Sequence, residues 1–316
     1  MMTLYKAAVI IPTRGGAAKL HFPLDALEQQ TEKDFQVIVV CDGDIDGSAQ
    51  VVQQYKERGV LNIEAIVFEE NQGRSKALNA GHQAADAHVL IRCDDDLEPS
   101  PDYIEKHISH HQKCNSEVGV IGLYLNNYPE TPYARAYGRY RDKKFREDAY
   151  QSTDQDSWMF WAGNVSLTRE IFNKIGGYDE RYRLYGWEDV DFGYLMHKTG
   201  VKVLIDPELA TKHHIAATTT ASRATRALHS GAARSLFVEK HGTDVLKNLD
   251  PAGIWGTAVK SVAKLATEKN IEIAGNTIDK IADNLPHKIS EKLISLLVEA
   301  SAYAGIRYPS RARKVF

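Results

Sequence analysis

Three consecutive carboxylates, Asp94-Asp95-Asp96, follow an apolar run at 88–91 that reads as a short buried strand. Leu97, Glu98, Pro99, Ser100 and Pro101 come next, and two prolines so close together end a strand. Carboxylates crowded at the C-terminal end of a strand repel one another, and a divalent cation relieves that repulsion. Hard oxygen ligands suit Mg²⁺ or Mn²⁺, ions that usually complete their shell with substrate phosphates. An isolated acidic triplet is equally what a solvated turn capping a helix near Asp102 contains, so the rest of the chain has to decide. Further along stand Gly186-Trp187-Glu188-Asp189-Val190-Asp191 and Lys212-His213-His214. Acidic groups such as Glu188 and Asp189 suit the first turn of a helix. A histidine pair at a strand end is ordinary on a protein surface and gains interest only from the acidic triplet.

The elements that would position these groups can be read from the apolar pattern. Ala7-Ala8-Val9-Ile10-Ile11 stops at Pro12 and predicts a central parallel strand. Thr13-Arg14-Gly15-Gly16 is then a loop, with a helix over about 17–30. A second strand over 36–40 ends in Cys41-Asp42-Gly43-Asp44, followed by a helix over 48–58 and a third strand over 62–68. Asn71-Gln72-Gly73-Arg74 forms a loop, and Ser75 caps a helix to about 85. The fourth strand leads into the triplet. Strands alternating with long helices mean βαβ units and a mostly parallel sheet, a Rossmann-like α/β fold. Ligands of such sheets sit at the strand C-terminal ends. The loops after strands one, two and four therefore converge: Pro12-Thr13-Arg14, Asp42, and Asp94 to Asp96.

The middle of the chain is less regular. A strand is expected over 118–125, and 128–150, rich in Tyr, Arg and Lys, reads as a mobile or substrate-facing loop. A short helix over 168–175 ends at Gly176-Gly177, another helix opens at Glu188 and runs to about 198, and a strand covers 201–205. From about 218 the pattern is helical, over 221–239, 254–266, 272–282 and 288–303. The expected domains are thus 1–217 and a C-terminal helical appendage, 218–316, with a basic end of Arg307, Arg311, Arg313 and Lys314.

Bulk properties exclude other classes. The chain has 316 residues, 43% of them hydrophobic, which is enough for a sizeable core. A formal charge of −3 gives no electrostatic case for nucleic acid as a partner. Cys41, Cys93 and Cys114 form neither a disulfide framework nor a metal finger, which predicts a reducing compartment. No signal-peptide pattern and no apolar run of about 20 residues is present, so a cytoplasmic protein is expected.

In order along the chain, these features resemble nucleotide-sugar-dependent glycosyltransferases of the GT-A fold, the large inverting family 2. Ile10-Ile11-Pro12-Thr13 resembles that family's first strand and base-binding loop. Val39-Val40-Cys41-Asp42-Gly43 is similar to its second strand, although Cys41 stands where an Asp is common. Asn71-Gln72-Gly73-Arg74 with Ala77-Leu78-Asn79 and Gly81 is similar to its glycine loop and helix, and Arg92 to Asp96 to its metal motif. Ala162-Gly163-Asn164, Gly176-Gly177-Tyr178-Asp179 and Gly186 to Asp191 resemble its acceptor and base region. The last block is closest to galactosyl- and N-acetylgalactosaminyl-transferring members, including chondroitin-polymerase-like enzymes. The likeness covers about residues 5–215, and Gly186 to Asp191 is its most specific part.

The resemblance implies a UDP-sugar donor and a glycan or glycoconjugate acceptor, in cell-surface polysaccharide synthesis. Asp94, directly or through water, and Asp96 would hold Mn²⁺ or Mg²⁺, with His213 a further ligand and His214 the alternative. Pro12, Thr13, Arg14, Asp42, Arg74, Asp94 and Asp95 would line the nucleotide-sugar site, Asp42 taking a uracil N–H. Asp189 would be the general base, and Glu188, Trp187 and Asn164 would bind the acceptor. Trp161 reads as core. The helical end suggests homodimerisation, or peripheral contact with the inner face of the membrane. The competing readings are a sugar nucleotidyltransferase, for which the loop at Arg14-Gly15-Gly16 is short, and a non-catalytic sugar- or partner-binding module on the same fold.

Overall fold

The computed structural model describes residues 4–114, 117–246 and 250–313. The apolar runs become β1 (Tyr5–Thr13), β2 (Phe35–Cys41), β3 (Ile63–Val67) and β4 (Ala87–Cys93), alternating with α1 (His21–Glu28), α2 (Ser48–Arg58) and α3 (Arg74–Ala84). Next come β5 (Leu97–Glu98), α4 (Tyr103–Lys113), β6 (Val118–Ile121), β7 (Tyr124–Asn126), α5 (Arg139–Tyr150), β8 (Asn164–Thr168) and α6 (Arg169–Ile175). The chain continues through α7 (Trp187–Lys198), β9 (Lys202–Ile205), β10 (Thr211–His213), α8 (Thr220–His241), α9 (Gly253–Ala263), α10 (Glu268–Ala282) and α11 (His287–Arg307).

A seven-stranded sheet runs in the order β3-β2-β1-β4-β8-β6-β9. β1 pairs in parallel with β2 and β4, and β2 with β3, as continuous apolar runs require when helices cover both faces. β8 is antiparallel to β4 and to β6, so the sheet is mixed but mostly parallel. A second sheet, β5-β10-β7, is built from short strands.

Two expectations are corrected. The strand expected over 118–125 is two strands in two sheets, β6 and β7. The break falls at Gly122, where a Cβ would stand 2.2 Å from the Leu209 carbonyl oxygen, so only glycine lets the chain pass there. The expected loop over 128–150 is helical: a π-helical stretch, Ala134–Gly138, runs into α5. Its buried residues are Tyr133, Ala134, Ala136, Tyr137 and Gly138 at one end and Ala149 alone near the other. The charged remainder therefore shows no helical apolar period, although Arg, Lys and Glu are good helix formers.

The chain divides into two compact units. One comprises 1–127, 146–181 and 188–215, the other 128–145, 182–187 and 216–316. The second is a helical unit with its own apolar cluster, including Leu228, Val259, Ile271, Ile294 and Ala304. α8 and α11 touch through glycines: a Cβ on Gly305 would lie 2.0 Å from the Leu228 carbonyl oxygen, and one on Gly231 2.2 Å from that of Ala302. The expected basic end is partly spent inside this unit. Arg311 donates to the carbonyls of Ala263, Lys264 and Ala266 at 2.9–3.0 Å and lies over the Tyr308 ring, closing the end of α9. Lys314 lies outside the described residues. Among the described residues no helix is long and apolar enough to cross a membrane.

Backbone atoms cannot move aside for a new side chain, so Gly305→Val is expected to destabilise the protein by about 3 kcal/mol, the upper end for overpacking. Urea unfolding followed by helical ellipticity measures it, and an unchanged midpoint would disprove the close contact.

Candidate active site

The site of the first unit is built around Arg92, the residue just before the acidic end of β4. Its guanidinium is fully buried. Nε donates to Asp94 Oδ1 at 2.9 Å and Nη2 to Asp94 Oδ2 at 3.4 Å, while Nη1 donates to Asp189 Oδ1. Burial works against the arginine charge, but Asp189 and Asp94 more than offset it and hold the group well above its ordinary value. One cation thus ties the carboxylate triplet to the start of α7, 97 residues later.

The acids around it diverge. Burial raises the Asp94 carboxyl, yet Arg92 and then Arg74 outweigh that and leave it lowered. Burial pushes the Asp189 carboxyl up, to about 7, against the Arg92 guanidinium and with the Glu188 carboxylate adding to the rise. Two carboxyls around one guanidinium with opposed shifts are the arrangement that assigns different proton roles to like groups. Glu188 is buried and faces Arg74, with Nη1 3.5 Å from Oε1. Arg74 opens α3, its side chain 40% exposed, and the carboxylates of Asp94 and Glu188 keep it charged against the cost of burial.

Asp95 and Asp96 point to different partners. Asp95 is buried, accepting from Thr13 Oγ1 at 2.6 Å and from Lys19 Nζ at 2.9 Å, and so fixes the loop after β1. Gly16 makes room for this, since a Cβ there would lie 1.8 Å from Thr13 Oγ1 and 2.8 Å from Asp95 Oδ2. Asp96 faces His213, with Nε2 3.2 Å from Oδ2. His214 faces elsewhere: its Nε2 is 2.7 Å from Glu98 Oε2 and its ring stacks on Phe22 at 3.9 Å. Of the two histidines, His213 is therefore the one beside the triplet.

These donors fit a divalent cation. His213 Nδ1 meets the Asn126 side-chain oxygen, an acceptor, so the ring proton sits on Nδ1. Nε2 then turns a lone pair toward the Asp96 carboxylate, and two acceptors that close need a cation or a further proton between them. Among the described residues no three His, Cys, Asp or Glu side chains form a complete ligand set. An ion held by Asp96 and His213 must take its remaining ligands from water or phosphate, as Mg²⁺ and Mn²⁺ usually do. Asp94 accepts from Arg92 and, at 3.4 Å, from the Tyr124 hydroxyl.

The other expected residues fall as follows. Pro12 is buried in β1, and Arg14 is exposed in the loop beyond it. Asp42 is buried, and its two oxygens accept from the backbone N–H groups of Gln72 and Gly73 at 2.6 and 2.9 Å, so it braces the loop that carries Arg74. Asn164 is corrected. It is fully buried in β8, donating to the Leu209 carbonyl and Thr211 Oγ1 at 2.9 and 3.0 Å, and it has no surface for an acceptor. Trp187 belongs to the second unit, where its Nε1 donates to Ser230 Oγ at 3.0 Å and its ring lies against Phe237. Trp161 is core, as expected, donating to the Tyr178 hydroxyl at 3.2 Å.

Sequence reasoning missed Arg92 and Tyr124 as site residues. The signal for Arg92 was present: a charged residue closing an apolar strand must find buried partners. Nothing near Tyr124 marks it, because its hydroxyl accepts the N–H of Gly163, 39 residues away and just before β8, at 2.7 Å.

A mostly parallel sheet with carboxylates gathered at its strand ends is the GT-A-like architecture, and the solved structures agree. The mannosyltransferase PcManGT from Pyrobaculum calidifontis, in complex with GDP-Man and Mn²⁺, superposes with a TM-score of 0.68 at 17% identity, covering 98% of this chain and 88% of that one. S. aureus TarS in complex with UDP-GlcNAc gives a TM-score of 0.53 at 14% identity, covering 95% and 92%. The sequence matches glycosyl transferase family 2 over residues 8–176 and the N-terminal domain of galactosyltransferase over residues 146–217. The chain belongs to glycosyltransferase family 2. It is 29% identical over 228 residues to validoxylamine A glucosyltransferase of Streptomyces hygroscopicus subsp. jinggangensis, covering 64% of this chain and 53% of that protein. With the chondroitin synthase of Pasteurella multocida it shares 26% over 224 residues, covering 61% of this chain and 23% of that protein. The match thus spans about half the length of the first relative and less than a quarter of the second.

Arg92→Met leaves the buried Asp189 without its ion-pair partner and the half-buried Asp94 with Arg74 alone, and is expected to cost about 3–5 kcal/mol at pH 7.5. The loss is expected to shrink at pH 5. Without Arg92 the folded-state carboxyls are raised, and a raised carboxyl weakens the fold only above its unfolded value, progressively up to its folded one. Urea titrations at the two pH values test this; equal losses would mean that the carboxylates do not depend on Arg92.

Proposed function

We propose that this chain is an inverting, metal-dependent hexosyltransferase. It would move a sugar from a UDP-sugar, galactose or N-acetylgalactosamine favoured, to a hydroxyl of a glycan or glycoconjugate in cell-surface polysaccharide synthesis. One observation carries the reading: Asp189, its carboxyl raised to about 7, shares the buried Arg92 with Asp94 of the acidic triplet. A base with that value can take a proton at neutral pH without being so weak that the transfer is unproductive. In this reading Asp189 accepts the proton of the attacking hydroxyl, and Glu188, adjacent and buried, binds an acceptor hydroxyl. A single carboxylate acting opposite the leaving group implies inversion. Arg74, charged and partly exposed, pairs with the diphosphate. Thr13 and Arg14 border the nucleotide, and Asp42 and Asp95 hold the loops that do so. Asp96 and His213 would hold Mn²⁺ or Mg²⁺, which supplies Lewis-acid charge for the departing diphosphate.

The match to a galactosyltransferase domain supports galactose-type donors. The UDP-GlcNAc held by TarS supports uridine, while the GDP-Man held by the Pyrobaculum protein makes the base a point to test. Homodimerisation or contact with the inner face of the membrane draws its support from the second unit, where Ile254 and Leu265 are 93% and 70% exposed. A hydrolysis screen of UDP-, GDP- and dTDP-sugars with Mn²⁺ tests the donor. No turnover of any UDP-sugar would overturn that part.

Asp189→Asn is expected to keep UDP binding and to lower kcat by roughly 10²–10⁴. In the unaltered protein kcat should fall about tenfold per pH unit below about 7, because a protonated Asp189 cannot accept a proton, and level off above it. Normal kcat in the variant would remove Asp189 from the chemistry.

Asp96→Asn should abolish the Mn²⁺-dependent part of the thermal stabilisation by UDP while leaving the melting temperature without ligand nearly unchanged. Undiminished Mn²⁺ dependence would rule out Asp96 as a ligand.

A further inference from the structure

β7 lies beside the Asp96 and His213 side chains and is not itself part of the acidic motif. Its residues alternate: Leu125 is exposed, while Tyr124 and Asn126, two apart, share the other face. β10 pairs with β7 in parallel, with His213 opposite Asn126 and Thr211 opposite Tyr124. The Asn126 side-chain oxygen accepts the His213 Nδ1 proton. The Tyr124 ring packs against the imidazole, centroids 4.8 Å apart, and its hydroxyl reaches Asp94 Oδ2 at 3.4 Å. The Asn127 N–H donates to the His213 carbonyl at 3.0 Å, and the His214 N–H to the Asp96 carbonyl at 3.0 Å. β5, beginning just after Asp96, completes the sheet by pairing Leu97 with His213. The second sheet is thus a frame that sets one imidazole nitrogen against one carboxylate oxygen.

Resting on the metal-dependent reading above, we propose that Asn126 is a positioning residue that holds His213 as an Nε2 ligand and thereby makes the site prefer Mn²⁺ over Mg²⁺. An imidazole ligates through the nitrogen that carries no proton, and the partner of the other nitrogen decides which that is. Asn126 offers an amide oxygen to Nδ1, so the lone pair is on Nε2, toward Asp96. Removing such an outer partner typically weakens metal binding 10–100-fold. The effect depends on the metal. Mg²⁺ demands oxygen ligands and keeps several waters, so it gains little from an imidazole; Mn²⁺ accepts a nitrogen more readily. Loss of the Asn126 acceptor frees the ring to turn or change tautomer, and the nitrogen contribution is what disappears. Asn126 is only partly buried, so shortening it opens no core cavity.

The test is metal binding to the full chain with UDP present. Free Mn²⁺ is read by electron paramagnetic resonance, and Mg²⁺ by the UDP-dependent shift in melting temperature. Asn126→Ala is expected to raise the Mn²⁺ Kd about 10–100-fold and to change the Mg²⁺ response by less than about threefold. Asn126→Asp, whose carboxylate accepts the same Nδ1 proton, is expected to keep Mn²⁺ binding within about threefold or tighten it. An unchanged Mn²⁺ Kd in Asn126→Ala, equal losses of Mn²⁺ and Mg²⁺, or failure of Asn126→Asp to retain Mn²⁺ would each overturn the proposal. Absence of Mn²⁺ binding by the unaltered protein with UDP would instead overturn the metal-dependent reading on which it rests.

Discussion

A guanidinium with no access to water must be surrounded by acceptors, and Arg92 meets that requirement with Asp94 on one side and Asp189 on the other. Buried ion pairs are weak sources of net stability, because desolvation offsets most of the attraction. Their value here is positional. Two carboxylates from distant parts of the chain can approach only because a cation lies between them, and the cation can be buried only because both are there. The start of α7 is fixed to the end of β4 by that mutual dependence. Burial raises both carboxyls, and the two diverge in what opposes it: Arg92 and Arg74 outweigh it at Asp94, which is lowered, while at Asp189 burial prevails over Arg92, with Glu188 adding to the rise.

Around this pair the acidic triplet divides by direction rather than acting as a cluster. Asp94 turns to Arg92, Asp95 to Thr13 and Lys19, and Asp96 to His213. Asp94 and Asp95 are each met by separate cations and donors, which leaves Asp96, facing the unprotonated His213 nitrogen, as the carboxylate of the three without a positive partner among the described residues. Small residues make the divisions possible. A Cβ on Gly163 would lie 2.1 Å from the Asp94 carboxyl, and one on Gly16 would overlap Thr13. The backbone approaches these acids as closely as it does only where a side chain is missing.

The second sheet shows how a short, weakly patterned element acquires a role through its neighbours. β5 has two residues, and β7 and β10 three each. None would be stable alone. Together they carry Asp96 at one border, His213 at another and Tyr124 with Asn126 on one face, and each strand is held by the others' backbone hydrogen bonds.

The βαβ core was legible in the sequence because its strands are buried on both faces and read as unbroken apolar runs: 7–11, 36–40 and 88–91 all lie within strands. Gly176 after α6 and the acidic opening of α7 could be placed for a similar reason, since caps and first-turn charges act within one helical turn. The carboxylates, Arg74 and His213 were nameable as residue types suited to a metal and a diphosphate. Their partners were not. Which histidine faces Asp96, that Asn164 is sealed inside β8, that 128–150 is helical and that Asp42 spends its oxygens on Gln72 and Gly73 all depend on which strands become neighbours. Local propensity and period say nothing about a contact 30 to 117 residues away, and a hydrogen bond formed in a buried site is decided by whatever the fold brings within reach.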